Sequence, residues 1–564
     1  MRRWVTIAFA LGALALGCTP KPDPFVDAGP KAEAPVPAPD GLLGEGVLTA
    51  PNATWSKLQQ RVGGPLAILP MTFGGLVCTW AGLDSALAND VDGVSPAFIV
   101  ASGKATEPGF VLAVKLADDR HARSVLFDGE TARYRPREDG GVVFADGKNG
   151  PLTYPVALTK NGWLVVGKSD GDVKALAAYA TRTLPQRPLP KEALVADLPR
   201  PLFAHVAGKL EALWKGFAAD LEDADQRARK AHGGRPPDFG DPAAVIAQID
   251  GFTGRRLAEL RDVSKAHVTA DVDEGGLRAE LVLTPSGEGG PLARYLSGVT
   301  PGAAAPVLGA SGDAEIALLL RDDAKSRAED ARALDTALTS ALGGRLAEAD
   351  KKKVGQMLAD WQRGRSDELV VTLTRAPAKG AVLRTRVADR EALQRALRAV
   401  PDVLKLPAIK EPLRIKEVTS KNPEVAELGK VEEVVAELAP AKPDPHAKKK
   451  PDPSPQAYGL AWAIKDDVAV LGAGEDPARV LASLGKVERT LGDDRVLAGP
   501  VNNLGEGVSL VVVAQPLKLD PSRLGAPPAP VVVTWGKKGN EGVVRAFVAS
   551  PVLKELVKRQ MFGP

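Results

Sequence analysis

Apolar and polar positions follow two periods along this chain, and blocks of each kind alternate from about Trp55 to the C-terminus. Trp55, Leu58 and Val62 fall on one helical face, and Gly63-Gly64 ends that helix. Phe110 to Leu116 reads as a strand, and Asp118 stands in the N-cap position of a helix over His121 to Leu126. Tyr154 to Thr159 and Trp163 to Val166 pair as a hairpin around Lys160-Asn161-Gly162, since Asn-Gly suits a tight turn. A helix follows with Val173, Leu176, Ala177 and Ala180 on one side. Lys209 to Lys230 is a longer amphipathic helix, with Leu210, Leu213, Trp214, Phe217 and Leu221 expected on its inner stripe. His267 to Asp271 and Leu277 to Leu283 form another hairpin across Glu274-Gly275-Gly276. The pattern predicts an α+β fold of antiparallel hairpins and meanders covered by amphipathic helices.

Three of these units recur in the same order. Val111-Leu112 and Lys115 to Asp118 match Val382-Leu383 and Arg386 to Asp389, each a strand entering a capped helix. Tyr154 with Lys160 to Gly167 matches Tyr458 with Lys465 to Gly472, and Val268 to Leu283 matches Val533 to Val548, with Gly276 opposite Gly542. Length alone would allow roughly three to four domains. The recurrence predicts instead an internal duplication into two related halves, residues 45–305 and 306–564, with the junction in the Gly/Ala/Pro stretch Gly298 to Gly312. Residues 440–456, which include PAKPDPHAKKKPDPSP, have no counterpart and cannot build a core, so they read as a solvated loop.

The N-terminus carries a different signal. Arg2 and Arg3 precede a continuous apolar run from Trp4 to Ala15, which is shorter than the about 20 residues a spanning helix needs. It fits the core of a cleavable export signal, residues 1–17. The run enters Leu16-Gly17-Cys18, and here the chain resembles the bacterial lipoproteins, whose signal ends at a cysteine that is acylated and becomes the mature N-terminus. Gly17 and Cys18 fit that pattern. Ala15 and Leu16 depart from it, because the usual order places Leu three and a small residue two before the cysteine. The alternative is ordinary cleavage after Ala13-Leu14-Ala15, giving a secreted or periplasmic soluble protein. Residues 18–44 continue as a Pro/Ala-rich tether that would hold a folded body off a membrane. The resemblance implies lipidation of Cys18 and, from the non-acidic Thr19, the outer membrane.

Composition narrows the partners. Hydrophobic residues reach 44 % and aromatic residues only 5 %, a globular balance rich in Ala, Val and Leu. A net charge of +3 spread along the chain points to no nucleic acid, and the Lys448-Lys449-Lys450 run lacks the aromatic neighbours of a binding patch. Cys78 is the one cysteine besides Cys18 and lies in the apolar run GLVCTW, so it reads as a small core residue.

Candidate chemistry is sparse. Gly162 to Ser169 (GWLVVGKS) satisfies the phosphate-loop expression, but Trp-Leu-Val-Val prefers a strand to a loop that curls round phosphates, so no nucleotide is expected. Gly472-Ala473-Gly474 lacks the third glycine of a dinucleotide turn, and Asp476 with Pro477 reads as a helix start. His121, His205, His232, His267 and His446 are scattered, with no metal spacing among them; His205, beside Phe203 and Val206, is the least ordinary. Asp118-Asp119 and Asp322-Asp323 read as helix caps, and Asp271 to Gly276 as a turn, not a calcium loop. The body also resembles, in composition alone, the uncharacterised Ala/Pro-rich lipoproteins of bacteria. The expected function is a membrane-anchored exported lipoprotein with a non-catalytic binding or scaffolding role in the cell envelope and an envelope protein or lipid as partner. The alternatives are a carrier of an apolar ligand, marked by a wide apolar cavity, and an envelope hydrolase, marked by converging carboxylates or a His cluster. No catalytic, cofactor or metal residue is assigned.

Overall fold

The computed structural model describes residues 33–128, 132–148, 152–231, 242–342, 345–374, 379–439, 457–485, 490–503, 507–519 and 527–562. Residues 1–17, expected to be an export signal, Cys18, and residues 440–456, expected to be a solvated loop, lie outside them. The chain forms two compact units that are not contiguous in sequence. Unit 1 is Met1–Ala207, Leu260–Glu288 and Val543–Pro564; unit 2 is Gly208–Glu259 and Gly289–Gly542.

Unit 1 is built on strands β1 (Leu42–Leu48), β2 (Ala97–Lys104), β3 (Glu107–Lys115), β4 (Tyr134–Asp139), β5 (Val142–Gly147), β6 (Val156–Leu158), β7 (Trp163–Gly167), β8 (Leu194–Pro199), β9 (Val263–Val272) and β10 (Gly276–Pro285). They pair antiparallel in the order β10-β9-β8-β1-β2-β3-β7-β6-β5-β4. Period 2 divides each strand between two cores. Leu112, Val114, Leu164 and Val166 face a cluster formed with the helices Pro51–Val62, Phe73–Ala81 and Asp119–Phe127. Val111, Ala113, Trp163 and Val165 face Val173, Leu176, Ala177 and Ala180, the apolar side of helix Asp170–Ala178 and the turn after it. Each wholly buried Val or Leu contributes about 1.5–3 kcal/mol. Val36 exchanges two hydrogen bonds with the Thr183 hydroxyl, 2.9 and 2.7 Å, so the body is engaged ahead of β1.

Unit 2 carries β11 (Ile316–Arg321), β12 (Arg365–Thr374), β13 (Gly380–Val387), β14 (Ile415–Lys421), the short pair β15 (Glu424–Val425) and β16 (Gly429–Lys430), then β17 (Glu432–Leu438), β18 (Ala457–Lys465), β19 (Val468–Gly474), β20 (Val508–Ala514) and β21 (Val531–Lys538). The last strand, β22 (Glu541–Ala549), counts from Val543 onward with unit 1, where Arg545 pairs with Glu280 at 2.6 Å. The main sheet runs β21-β20-β11-β12-β13-β19-β18-β17-β14, again antiparallel. Nine strands therefore follow the same path in chain order as β9-β8-β1-β2-β3-β7-β6-β5-β4. Registers correspond too. Unit 1 aligns Thr269, Val195, Val47, Phe98, Ala113, Val165 and Ala157 in one row; unit 2 aligns Thr534, Val511, Leu319, Val370, Arg384, Val470 and Ala463. The class is α+β.

Most local expectations match these elements. Asp118 caps its helix by accepting from the amides of Arg120 and His121. Gly162 closes the hairpin turn at φ +73°, and the segment once fitted to a phosphate loop is β7, buried along its length. Ser169 caps the next helix, and the Lys168 ammonium donates to the Pro108 carbonyl at 2.9 Å. One expectation is corrected. The helix spans Arg200–Ala231, but Leu210, Leu213, Phe217 and Leu221 are exposed, Leu213 at 71 %. Trp214, on the same stripe with its ring 5.8 Å from that of Phe217, hydrogen-bonds Asp250 of the helix Pro242–Arg261, while the rest of the stripe stays exposed.

Candidate ligand-binding groove

The residues that matter most stem from the alternation in AVLRTRV of β13. Val382, Arg384 and Arg386 share one sheet face, with the two arginines about 6.6 Å apart along the strand. Cross-strand neighbours on that face are Val370 and Thr372 of β12 and Val468 and Val470 of β19. The face is covered on one side by Val425, Val431 and the helix Pro477–Gly485, whose Leu481 and Ala478 pack on Ala461 and Ala463. Pro306 to Ala310 and Thr490 rise on the other side. Between them lies an open groove of about 840 Å³, lined by β12, β13, β18 and β19.

Its floor is Val370, Thr372, Val382 and Val470 around Arg384. Arg384 and Arg386 are both exposed, and among the described residues no hydrogen bond or ion pair engages either guanidinium. Gly309 stands in the wall beside Arg384, where an added Cβ would lie at ordinary contact, 3.8 Å from Nη1. The rim is acidic, formed by Glu427, Asp466 and Asp467, with Lys465 donating to the Glu427 carbonyl at 3.2 Å. Glu368 also lines the groove, but Arg321 holds it at 3.1 Å. Glu427 and Asp466 have φ of +70° and +52°, left-handed conformations that cost a side-chain-bearing residue energy and collect at functional sites. The arrangement presents Arg384 on an apolar floor, with the carboxylates at the edge beside Arg386 and Lys465.

A second polar feature belongs to unit 1. Glu45, Asp197 and His267 stand directly opposite one another on β1, β8 and β9. His267 Nδ1 lies 2.9 Å from Asp197 Oδ1, and the Lys265 ammonium lies 3.0 Å from the same oxygen. Burial raises the Asp197 pKa, but these two partners outweigh it and hold the carboxyl below its ordinary value. Glu45 accepts from the Tyr179 hydroxyl at 2.6 Å and pairs with Arg187 at 2.5 Å. Burial, with Glu45 beside it, pushes the Tyr179 phenol up to about 12. The adjoining pocket of about 230 Å³ has Val47, Phe98, Leu184 and Leu189 among its walls, with no serine, threonine or cysteine among its lining residues. In unit 2 the same register holds Ala317, Val513 and Val532, all buried.

The other sequence candidates have structural roles. Cys78 is core, and burial, with Asp84 and Asp90 nearby, pushes its thiol up to about 12. His121 Nδ1 sits 2.8 Å from Asp90, and His205 has a buried Nε2 with no partner; His232 and His446 lie outside the described residues. Of the Asp322-Asp323 pair only Asp323 caps a helix, accepting from the Ser326 amide, whereas Asp322 pairs with the buried Arg365 and Arg327. Asp273 accepts from the amides of Gly275 and Gly276, which makes Asp271 to Gly276 a turn. Among the described residues no three His, Cys, Asp or Glu side chains gather as a metal site, and no helix is long and apolar enough to cross a membrane. Sequence reading missed Arg384 and Arg386, although their i, i+2 spacing inside an apolar strand was a usable signal. No protein family, curated protein or solved structure matches the chain.

Proposed function

We propose that this is an exported protein, anchored to the outer membrane by lipid on Cys18, whose body is a non-catalytic binding module built by internal duplication. The observation that carries the binding role is the open unit 2 groove, lined by two unengaged arginines. Its charged lining favours a polar ligand over the apolar carrier role. Support for duplication comes from the matching nine-strand paths and from Gly167 and Gly472, which occupy the same register. At both, an added Cβ would strike the following helix, at Val173 (2.5 Å) and Leu481 (2.8 Å). The copies then diverged in opposite ways: unit 1 closed its sheet face over Ala113 and acquired the Glu45–Asp197–His267 row, while unit 2 kept an open face with Arg384. Purification of the full chain in mild detergent, followed by mass spectrometry, tests the binding role. A polar molecule should co-purify with wild type and be depleted in Arg384→Glu. Equal yields from both proteins would remove the groove from the account.

A further inference from the structure

We propose that the groove takes a short peptide with free termini, its carboxylate held by Arg384 and its ammonium group turned to Glu427 and Asp467. This deepens the binding role proposed above and rests on it.

Four observations converge on that chemistry. First, the arginine donors are open to a partner. Arg384 is exposed on an otherwise apolar stretch of sheet, where a buried Ala113 stands at the corresponding register of unit 1. Arg384 has Val370 and Val470 as cross-strand neighbours, and no described group occupies its donors. A planar guanidinium presents paired donors to a carboxylate, which makes it the side chain best suited to grip one.

Second, the groove offers charges of both signs. Arg384 lies on the floor, while Glu427, Asp466 and Asp467 stand at the edge together with Lys465 and with Arg386, which is opposite Val468 at the start of that edge. A simple anion would use Arg384 and leave the edge carboxylates unused, a simple cation the reverse, and a hydrocarbon chain would use neither. A molecule with a carboxylate at one end and an ammonium at the other satisfies both.

Third, Val370, Val382, Val470, Ala463 and Leu428 supply apolar contact within the groove, suited to small side chains. Fourth, a volume of about 840 Å³ exceeds what a single amino acid fills and lies in the range of small-ligand pockets, roughly 300–1,000 Å³.

Titration calorimetry on the full chain tests this with trialanine, trialanine amide, N-acetyltrialanine, decanoate and inorganic phosphate as separate probes. Trialanine should bind one to one. Amidation and acetylation should each weaken it by roughly 10- to 100-fold, the range for losing a charged hydrogen bond. Arg384→Ala should cause the same loss for trialanine and almost none for the amide, since the group it would grip is already gone. Arg384→Lys, which keeps the charge but not the fork, should recover part of the affinity, and circular dichroism of each variant checks the fold. Equal affinity for free and blocked peptides, or no effect of Arg384→Ala, overturns the proposal. Decanoate or phosphate binding that needs Arg384, without trialanine binding, overturns the peptide assignment and leaves the groove reading intact. No Arg384-dependent binding of any probe removes both.

Discussion

Ala113 and Arg384 occupy the same register in the two sheets, yet one is wholly buried and the other exposed. Exchanging them gives very unequal stability effects. Ala113→Arg forces a guanidinium between Phe98 and Val165, cross-strand neighbours that are themselves buried. A buried charge without a partner costs about 3–5 kcal/mol, and overpacking adds about 1–3. Together these approach the about 5–15 kcal/mol that holds a domain folded, so unit 1 should be close to unfolding. Arg384→Ala removes an exposed side chain with no described partner, so stability should change by less than about 0.5 kcal/mol. A two-unit protein need not unfold in one step, and hydrogen exchange resolved by peptide reads each unit separately. Ala113→Arg should abolish protection of β3 and β7 and leave that of β13 and β19 less affected. If Ala113→Arg keeps wild-type protection in β3, or Arg384→Ala destabilises β13 by more than about 1.5 kcal/mol, the reading of a closed face in one unit and an open one in the other is wrong.

Asp197 makes a pH-dependent contribution. Its carboxyl is held below the ordinary value of 3.8, so its contribution is whole above that value and is lost as pH falls through the folded pKa. Asp197→Asn should lower stability at pH 7 and flatten the acid limb below about pH 4, which thermal melts across pH measure; an unchanged acid limb removes this role. Lys168→Ala takes away one exposed bond to the Pro108 carbonyl and should shift stability by less than about 0.5 kcal/mol, with no nucleotide binding to lose in a filter assay. Leu213→Ser with Phe217→Ser should likewise leave the melting temperature nearly unchanged, because both side chains are exposed; a drop of several degrees would mean the stripe is covered.

Local structure was legible wherever period and punctuation agreed. The Asp118 cap, the Gly162 turn and the strand hidden under a phosphate-loop pattern all follow from residues within a few positions of one another. The inner stripe of the helix Arg200–Ala231 was misplaced because a 3-4 spacing identifies an apolar face but not whether anything covers it. The polar row was out of reach for another reason. Glu45, Asp197 and His267 come from strands separated by some 150 and 70 residues of chain, and only the pairing of β1, β8 and β9 brings them together. Arg384 and Arg386 were visible as an alternation. Their groove was not, because it depends on what fails to cover β13.

The account depends most on where this body is held, and the mature N-terminus decides that directly. Mass spectrometry of the terminal peptide from the membrane fraction should find a chain beginning at Cys18 and carrying diacylglycerol, and Cys18→Ser should move the protein to the soluble fraction or leave an uncleaved precursor. A wild-type chain beginning at Leu16 with an unmodified Cys18, or fractionation unchanged by Cys18→Ser with cleavage intact, would contradict the lipid-anchored reading.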